Sequence, residues 1–186
     1  MRKTIGFLVP IVCILIVVSC KKSGALTSQG LGGTWAFLGM SAQTQTTADT
    51  TGGVRVVTSA SFVTKSNVGT ISFNTDSMAV SGLGYTVDTS FTTYFSFNSV
   101  VYDSVKQALS YTIPPTSVSA KYTMVGSDSL YFPSGGILAA LDSTSKGQGS
   151  TYVLKGDSLT LTSQGFDTSG AAVTNIRSVI YLKRQK

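Results

Sequence analysis

Three sets of residues in this chain could do chemistry. Ser158, in Gly156-Asp157-Ser158-Leu159, stands beside a carboxylate, as a nucleophile could. Ser143 and Lys146 have the Ser-x-x-Lys spacing that brings an amine within one helical turn of a hydroxyl, close enough to take its proton. Eight acids, all aspartate, could supply a carboxylate pair for glycoside hydrolysis. Each reading meets an obstacle elsewhere in the chain. There is no histidine and no glutamate, which removes the commonest general base, the commonest metal ligand and half of the usual carboxylate chemistry. A zinc site and a Ser-His-Asp triad are excluded. Most aspartates lie at turn signals, where the side chain caps the backbone. The chain reads as a non-enzyme, with no metal and no cofactor.

Gly-Asp-Ser-Leu also resembles the signature of a family of serine esterases, and Ser143-Thr144-Ser145-Lys146 resembles that of the penicillin-interacting enzymes. The first family needs a histidine. The second opens a helix and carries a companion Lys-Thr-Gly, whereas Ser143 lies in a Gly-rich polar stretch. Both serines are therefore read as loop residues. A different regularity is stronger: all eight aspartates precede Ser or Thr. Six of these continue in the pattern of Asp76-Ser77-Met78 or Asp157-Ser158-Leu159, making Thr50, Ser77, Ser104, Ser129, Ser143 and Ser158 candidate acceptors. The pattern resembles the acceptor motif of an O-glycosylation system for exported proteins in some Gram-negative bacteria. Repeated turn chemistry, with a strand starting at each hydroxyl, is the competing reading.

The N-terminus carries an address. Arg2 and Lys3 precede an apolar run from Ile5 to Val18, the cationic and hydrophobic regions of a secretory signal. The run is interrupted by Gly6 and Pro10 and is shorter than the roughly 20 residues of a membrane-spanning helix. It ends in Val17-Val18-Ser19-Cys20, which resembles the lipobox of bacterial lipoproteins. That resemblance implies cleavage of residues 1–19, lipidation of Cys20 and attachment to a membrane through the acyl chains. Lys21 stands where inner-membrane retention typically uses Asp, so the resemblance implies the outer membrane of a Gram-negative cell. Lys22 follows and the first acid is Asp49, so an acidic surface-export signal is missing and the periplasmic face is expected.

After cleavage no thiol remains apart from Cys20, so the mature domain must hold together without a disulfide. Its bases are scattered except for Lys21-Lys22 and Lys183-Arg184-Lys186, which is no nucleic-acid footprint. Residues 20–32 are Ser/Gly-rich and read as a flexible tether, about 18 Å long for roughly ten residues. From Gly33 to Lys186 the text is that of one all-β domain. Leu83, Tyr85, Val87, Phe91, Phe95 and Phe97 alternate with polar residues, which predicts a strand with one face buried. Hairpins are predicted at Tyr122–Leu130, at Tyr152–Leu159 and at Phe73–Met78, each around a polar turn. Serial hairpins predict an antiparallel up-and-down meander, closed to remove its edges.

Gly33-Thr34-Trp35, at the start of the first strand, resembles the Gly-x-Trp signature of lipocalins and related calycins. The resemblance implies an eight-stranded lipocalin-like barrel closed at its base by Trp35, with Arg177 from a late strand packed on the indole. Phe73, Tyr85, Phe91, Phe95, Phe97, Tyr122 and Tyr152 are then candidates to line a cavity for a small hydrophobic ligand, although such residues also fill cores. The expected function is that of a membrane-anchored envelope lipoprotein binding a small hydrophobic ligand or a protein partner. A β-sandwich serving as an adhesion or assembly module is the alternative.

Overall fold

The computed structural model describes residues 30–136, 147–168 and 171–186. Cys20, the signal segment, most of the tether and the Ser143–Lys146 stretch with its acceptor Ser143 lie outside them. Every regular element among the described residues is a strand: β1 (Gly33–Asp49), β2 (Val54–Val63), β3 (Lys65–Phe73), β4 (Ser77–Phe97), β5 (Val100–Lys121), β6 (Thr123–Val125), β7 (Ser129–Phe132), β8 (Gln148–Lys155), β9 (Ser158–Asp167) and β10 (Ala172–Arg184).

The strands form one antiparallel sheet in the order β2-β4-β3-β1-β10-β9-β8-β7-β6, with β5 on the outer side of β4. The β1–β2, β2–β4, β4–β3 and β3–β1 pairings close a ring. Within it β2 and β3 lie end to end between β1 and β4, from Val54 opposite Phe97 to Phe73 opposite Met78. Ten strand segments stand where eight strands were expected, because Thr64 interrupts the β2/β3 line and Tyr122 separates β5 from β6. The interruption at Thr64 faces a bulge between Phe37 and Gly39 of β1. Thr64 exchanges backbone and side-chain bonds with Met40 there, at 2.9 and 2.8 Å, and Asn67 Nδ2 donates to the carbonyl of Leu38 at 2.8 Å. Backbone groups freed by one irregularity are thus satisfied by the other.

The three predicted hairpins are present as β3–β4, β6–β7 and β8–β9. Their Asp-Ser pairs share a construction. Ser77, Ser129 and Ser158 open β4, β7 and β9, while the preceding carbonyls of Asp76, Asp128 and Asp157 accept from the backbone N–H groups of Tyr122, Tyr152 and Arg184 at 2.7–2.9 Å. Each turn is therefore tied to a strand further along the chain. The repeated motif works as turn chemistry at one end of the sheet. At the opposite end Asn98 and Ser99 both take positive φ, the requirement of a tight two-residue hairpin between β4 and β5.

Burial divides the sheet along its strands. The core gathers Trp35, Phe37 and Met40 of β1, Ile71 and Phe73 of β3, Met78 to Val87 of β4, and the chain from Tyr122 through Phe132, Leu161 and Leu182. This end, with the Asp-Ser turns, is the base. Leu31 is fully buried in it, so the folded domain begins before Gly33. Beyond Ala42 of β1, through all of β2, and in β5 as far as Thr112, no hydrophobic residue is fully buried. The sheet continues there as long hairpin arms in which Thr and Ser are interspersed with part-buried or exposed Val, Tyr, Phe and Leu.

Gly69 marks the tightest backbone approach. It has φ +104°, and a Cβ on it would come within 2.6 Å of the backbone of Gly82 and Leu83. Gly126 has φ +68° but open space around it. Gly69→Ala is expected to cost about 2–4 kcal/mol, since strain and overlap add, and Gly126→Ala only about 1–2 kcal/mol. Equilibrium urea unfolding followed by Trp35 fluorescence measures both, and equal losses would count against the β3–β4 contact.

Candidate functional site

The base is built around Trp35, which has no exposed surface. Its indole N–H donates to the carbonyl of Leu31 at 2.9 Å. Over the ring lies the guanidinium of Arg184, 4.1 Å from the centroid. This corrects the expectation of Arg177. The register places Arg184 directly opposite Trp35 and Arg177 opposite Gln43, seven residues or about 23 Å away along β10. Arg184 also donates to the carbonyls of Gly30 and Gly32, so one side chain joins the last strand to the chain entering the first.

The seven aromatics expected to line a hydrophobic cavity do not form one. Phe73, Tyr85, Tyr122 and Tyr152 are buried among the core side chains. Phe73 stacks edge-on against Tyr122 at 6.1 Å, Tyr122 packs on Phe132 at 5.8 Å and Tyr85 on Phe37 at 6.2 Å. The Tyr122 and Tyr152 hydroxyls donate to the carbonyls of Asn74 and Ser127, so these phenols brace turns. Burial pushes the Tyr85 phenol up to about 12, with Tyr111 adding to the shift. Burial also raises Tyr122 and Tyr152, which makes these groups poor acids and bases at neutral pH. Phe91 and Phe95 are half-buried and Phe97 is 48 % exposed at the far end of β4. The alternation is real, but most of what it buries is packed solid.

The open space lies elsewhere. A cleft of about 810 Å³ crosses β4, β2, β1, β10 and β9 in the arms beyond the core. It is lined by Gln43, Thr44, Gln45, Ser59, Ala60, Ser61, Thr89, Ser90, Thr92, Gln164, Gly165, Phe166, Asn175, Ile176 and Arg177. Registers group most of these into two adjacent rows. One runs Gln164–Arg177–Gln43–Ser61 and the other Phe166–Asn175–Gln45–Ser59–Thr92. Residues two apart on a strand share a face, so the rows lie side by side. Arg177, misplaced by the sequence reading, is the single charged residue of this cleft. None of the seven predicted aromatics lines it. A second cleft of about 410 Å³ lies over β7 and β8, between Leu130, Tyr131 and Ser150.

Comparison of the chain with protein-family models, curated proteins and solved structures finds no match. The site therefore has to be read from its own residues.

Among the described residues no three potential metal-ligating side chains come together. Ser158 is exposed at the start of β9, opposite Lys155 of β8 and Lys183 of β10. The acceptor candidates Thr50 and Ser104 are also exposed, while Ser77 and Ser129 are half-buried. Thr50 and Ser129 already make side-chain hydrogen bonds, to the carbonyl of Val54 and the carboxylate of Asp128. Carboxylates are paired locally: Arg55 donates to Asp49 at 2.7 Å, which holds the Asp49 carboxyl below its usual range. Lys65 meets Asp88, and Lys121 meets Asp76.

One further surface was not foreseen. From Val100 to Thr112 every residue of β5 is exposed, including Val101, Tyr102, Val105, Leu109 and Tyr111. Among the described residues this strand pairs only with β4, and Pro114-Pro115 interrupt its register opposite the Leu83–Tyr85 bulge. The two arginines provide a direct check on the division between base and arms. Arg184→Ala should lower stability by about 1–3 kcal/mol, through loss of the indole contact and the bonds to Gly30 and Gly32, with Arg177→Ala within about 0.5 kcal/mol of wild type. Thermal denaturation in parallel tests this; a larger loss for Arg177→Ala would reverse the assignment.

Proposed function

We propose that this chain is a non-catalytic lipoprotein, anchored to the outer membrane through lipid on Cys20 and facing the periplasm, whose β-domain binds a ligand or partner with its unfilled arms. The observation that carries the reading is the division of the sheet. One end is packed and holds both the entering chain at Gly30 and the last strand at Arg184. The other carries an open cleft that begins about ten residues further along β1, roughly 30 Å away. On this reading the tether from Cys20 joins the domain at Gly30, so the base is the end nearer the attachment and the cleft the end farther from it.

The same reading takes β2 with β3, and β5 with β6, as single interrupted strands. The meander then has eight strands, each next to its sequence neighbours, and β10 returns to β1 in a lipocalin-like plan. The shared register of β2 and β3 along β4, and the single residue Tyr122 between β5 and β6, support that count. An interior carrier for a small hydrophobic molecule has less support, because the aromatics assigned to it fill the base.

Cys20→Ser, expressed in a Gram-negative host, is expected to move the protein from the outer-membrane fraction to the soluble periplasm with its β-sheet circular dichroism unchanged. Retention of the variant in the membrane fraction would remove the anchor. A second reading, an assembly module, is favoured by the β5 surface, because a long strand with exposed Val, Leu and Tyr side chains and a free edge is a template for strand addition. A photo-crosslinking residue at Tyr102 should capture an envelope protein in vivo, and one at Tyr181 should not. Absence of any adduct at Tyr102 would discard this second role.

A further inference from the structure

The lining of the large cleft is unusual for its size. Pockets of about 300–1,000 Å³ that take drug-like ligands are mostly apolar with a few polar groups. Here carboxamides and hydroxyls dominate, with one guanidinium, one exposed aromatic and no carboxylate. We propose that the cleft binds a hydroxyl-rich saccharide carrying an anionic group; this rests on the reading that the open arms are the binding region.

The chemistry follows from the residue types and their order. Gln43, Gln45, Gln164 and Asn175 each present both donors and an acceptor from one planar group. Sugar hydroxyls also donate and accept, so neighbouring hydroxyls on a ring match a row of such amides. An apolar molecule would have to strip water from them without replacing the bonds, at a cost for each unpaired group. At about 4.8 Å between strands the four-residue row is about 14 Å long and the five-residue row about 19 Å, an extended shelf suited to several sugar rings in line rather than to a single small molecule.

Phe166 stands at one end of its row, 64 % exposed. An aromatic left open beside polar groups supplies a flat apolar platform, and the C–H face of a pyranose is the part of a sugar that packs on one. Arg177 stands in the next row, paired across to Gln43 and Gln164. It has no ion-pair partner among the described residues, and its planar fork suits a carboxylate or a phosphate. With no acid in the lining, nothing repels such a group. A single arginine and a single aromatic do not make the charged, repeatedly stacked groove that nucleic acid requires.

Isothermal titration of the full chain in detergent tests this with three probes: an oligogalacturonate, a maltooligosaccharide of equal length, and a phosphorylated maltooligosaccharide. Saturable binding of an acidic sugar is expected, with the neutral one about tenfold weaker and Arg177→Ala removing that difference. Preference for the carboxylated or the phosphorylated probe identifies the anionic group. Phe166→Ala should weaken all three. Equal binding of neutral and acidic sugars by wild type would overturn the role of Arg177, and no saturable binding of any probe would overturn the saccharide assignment. Native mass spectrometry of host-purified protein separates the two levels of failure. A non-saccharide molecule retained by wild type but lost in Phe166→Ala would leave the binding reading standing without the sugar. An empty protein in both forms would remove the two together.

Discussion

The structure depends on the stack of Leu31, Trp35 and Arg184 at its base. An indole buried beneath a guanidinium is stabilised by the charge above its ring and by its own N–H bond below. What gives the contact its leverage is where its members come from. Arg184 ends β10, Trp35 begins β1, and Leu31 precedes it, so the two extremes of the described chain are joined in one place. The β1–β10 ladder, from Trp35 opposite Arg184 to Ala48 opposite Ala172, continues outward from that point. With no cysteine among the described residues, this joint and the core above it must do the work that disulfides do in small cross-linked domains.

Two kinds of cohesion then share the sheet. At the base, apolar side chains from seven strands interlock, and the cost of removing any one is that of a cavity. In the arms, hydroxyls face each other across strands: Thr46 with Thr174 and Thr58 with Thr93, each near 3.0 Å. Such pairs contribute only tenths of a kcal/mol to about one, and β-branched residues keep the strands extended without a core. The arms are consequently the less stable part of the fold, where opening costs least. A binding surface gains room to adapt there without disturbing the joint below.

Much of the fold was legible because it is local. The polar turns at Asn74–Asp76, Gly126–Asp128 and Gly156-Asp157 announced three hairpins, and the alternation from Leu83 to Phe97 announced β4. The resemblance of Gly33-Thr34-Trp35 to the Gly-x-Trp signature implies a place at the base for Trp35, and it is buried there. Register across the whole chain was not legible. Choosing between Arg177 and Arg184 requires knowing how β10 lies on β1, which depends on the bulge at Leu38 and on pairings well over a hundred residues apart. Alternation also cannot separate a filled interior from a hollow one, so Phe73, Tyr85, Tyr122 and Tyr152 carried the same signal whether they packed or lined. The cleft left almost no trace, since Gln43, Gln45 and Asn175 read as ordinary solvent-facing strand residues until five strands set them in rows.

The return of β10 to β1 has a consequence for how the protein is made. A meander whose last strand pairs with its first cannot close until that strand is delivered, and Arg184, which lies over Trp35, stands at its end. As the chain is delivered from its N-terminus, β1 waits with one edge free while the rest arrives. Contacts of such sequence separation form late and slowly. A product that stops a few residues short would keep every hairpin yet lack the guanidinium over the indole and leave the base unclosed. Closure of the sheet is thereby registered at its base, where the last strand meets the first.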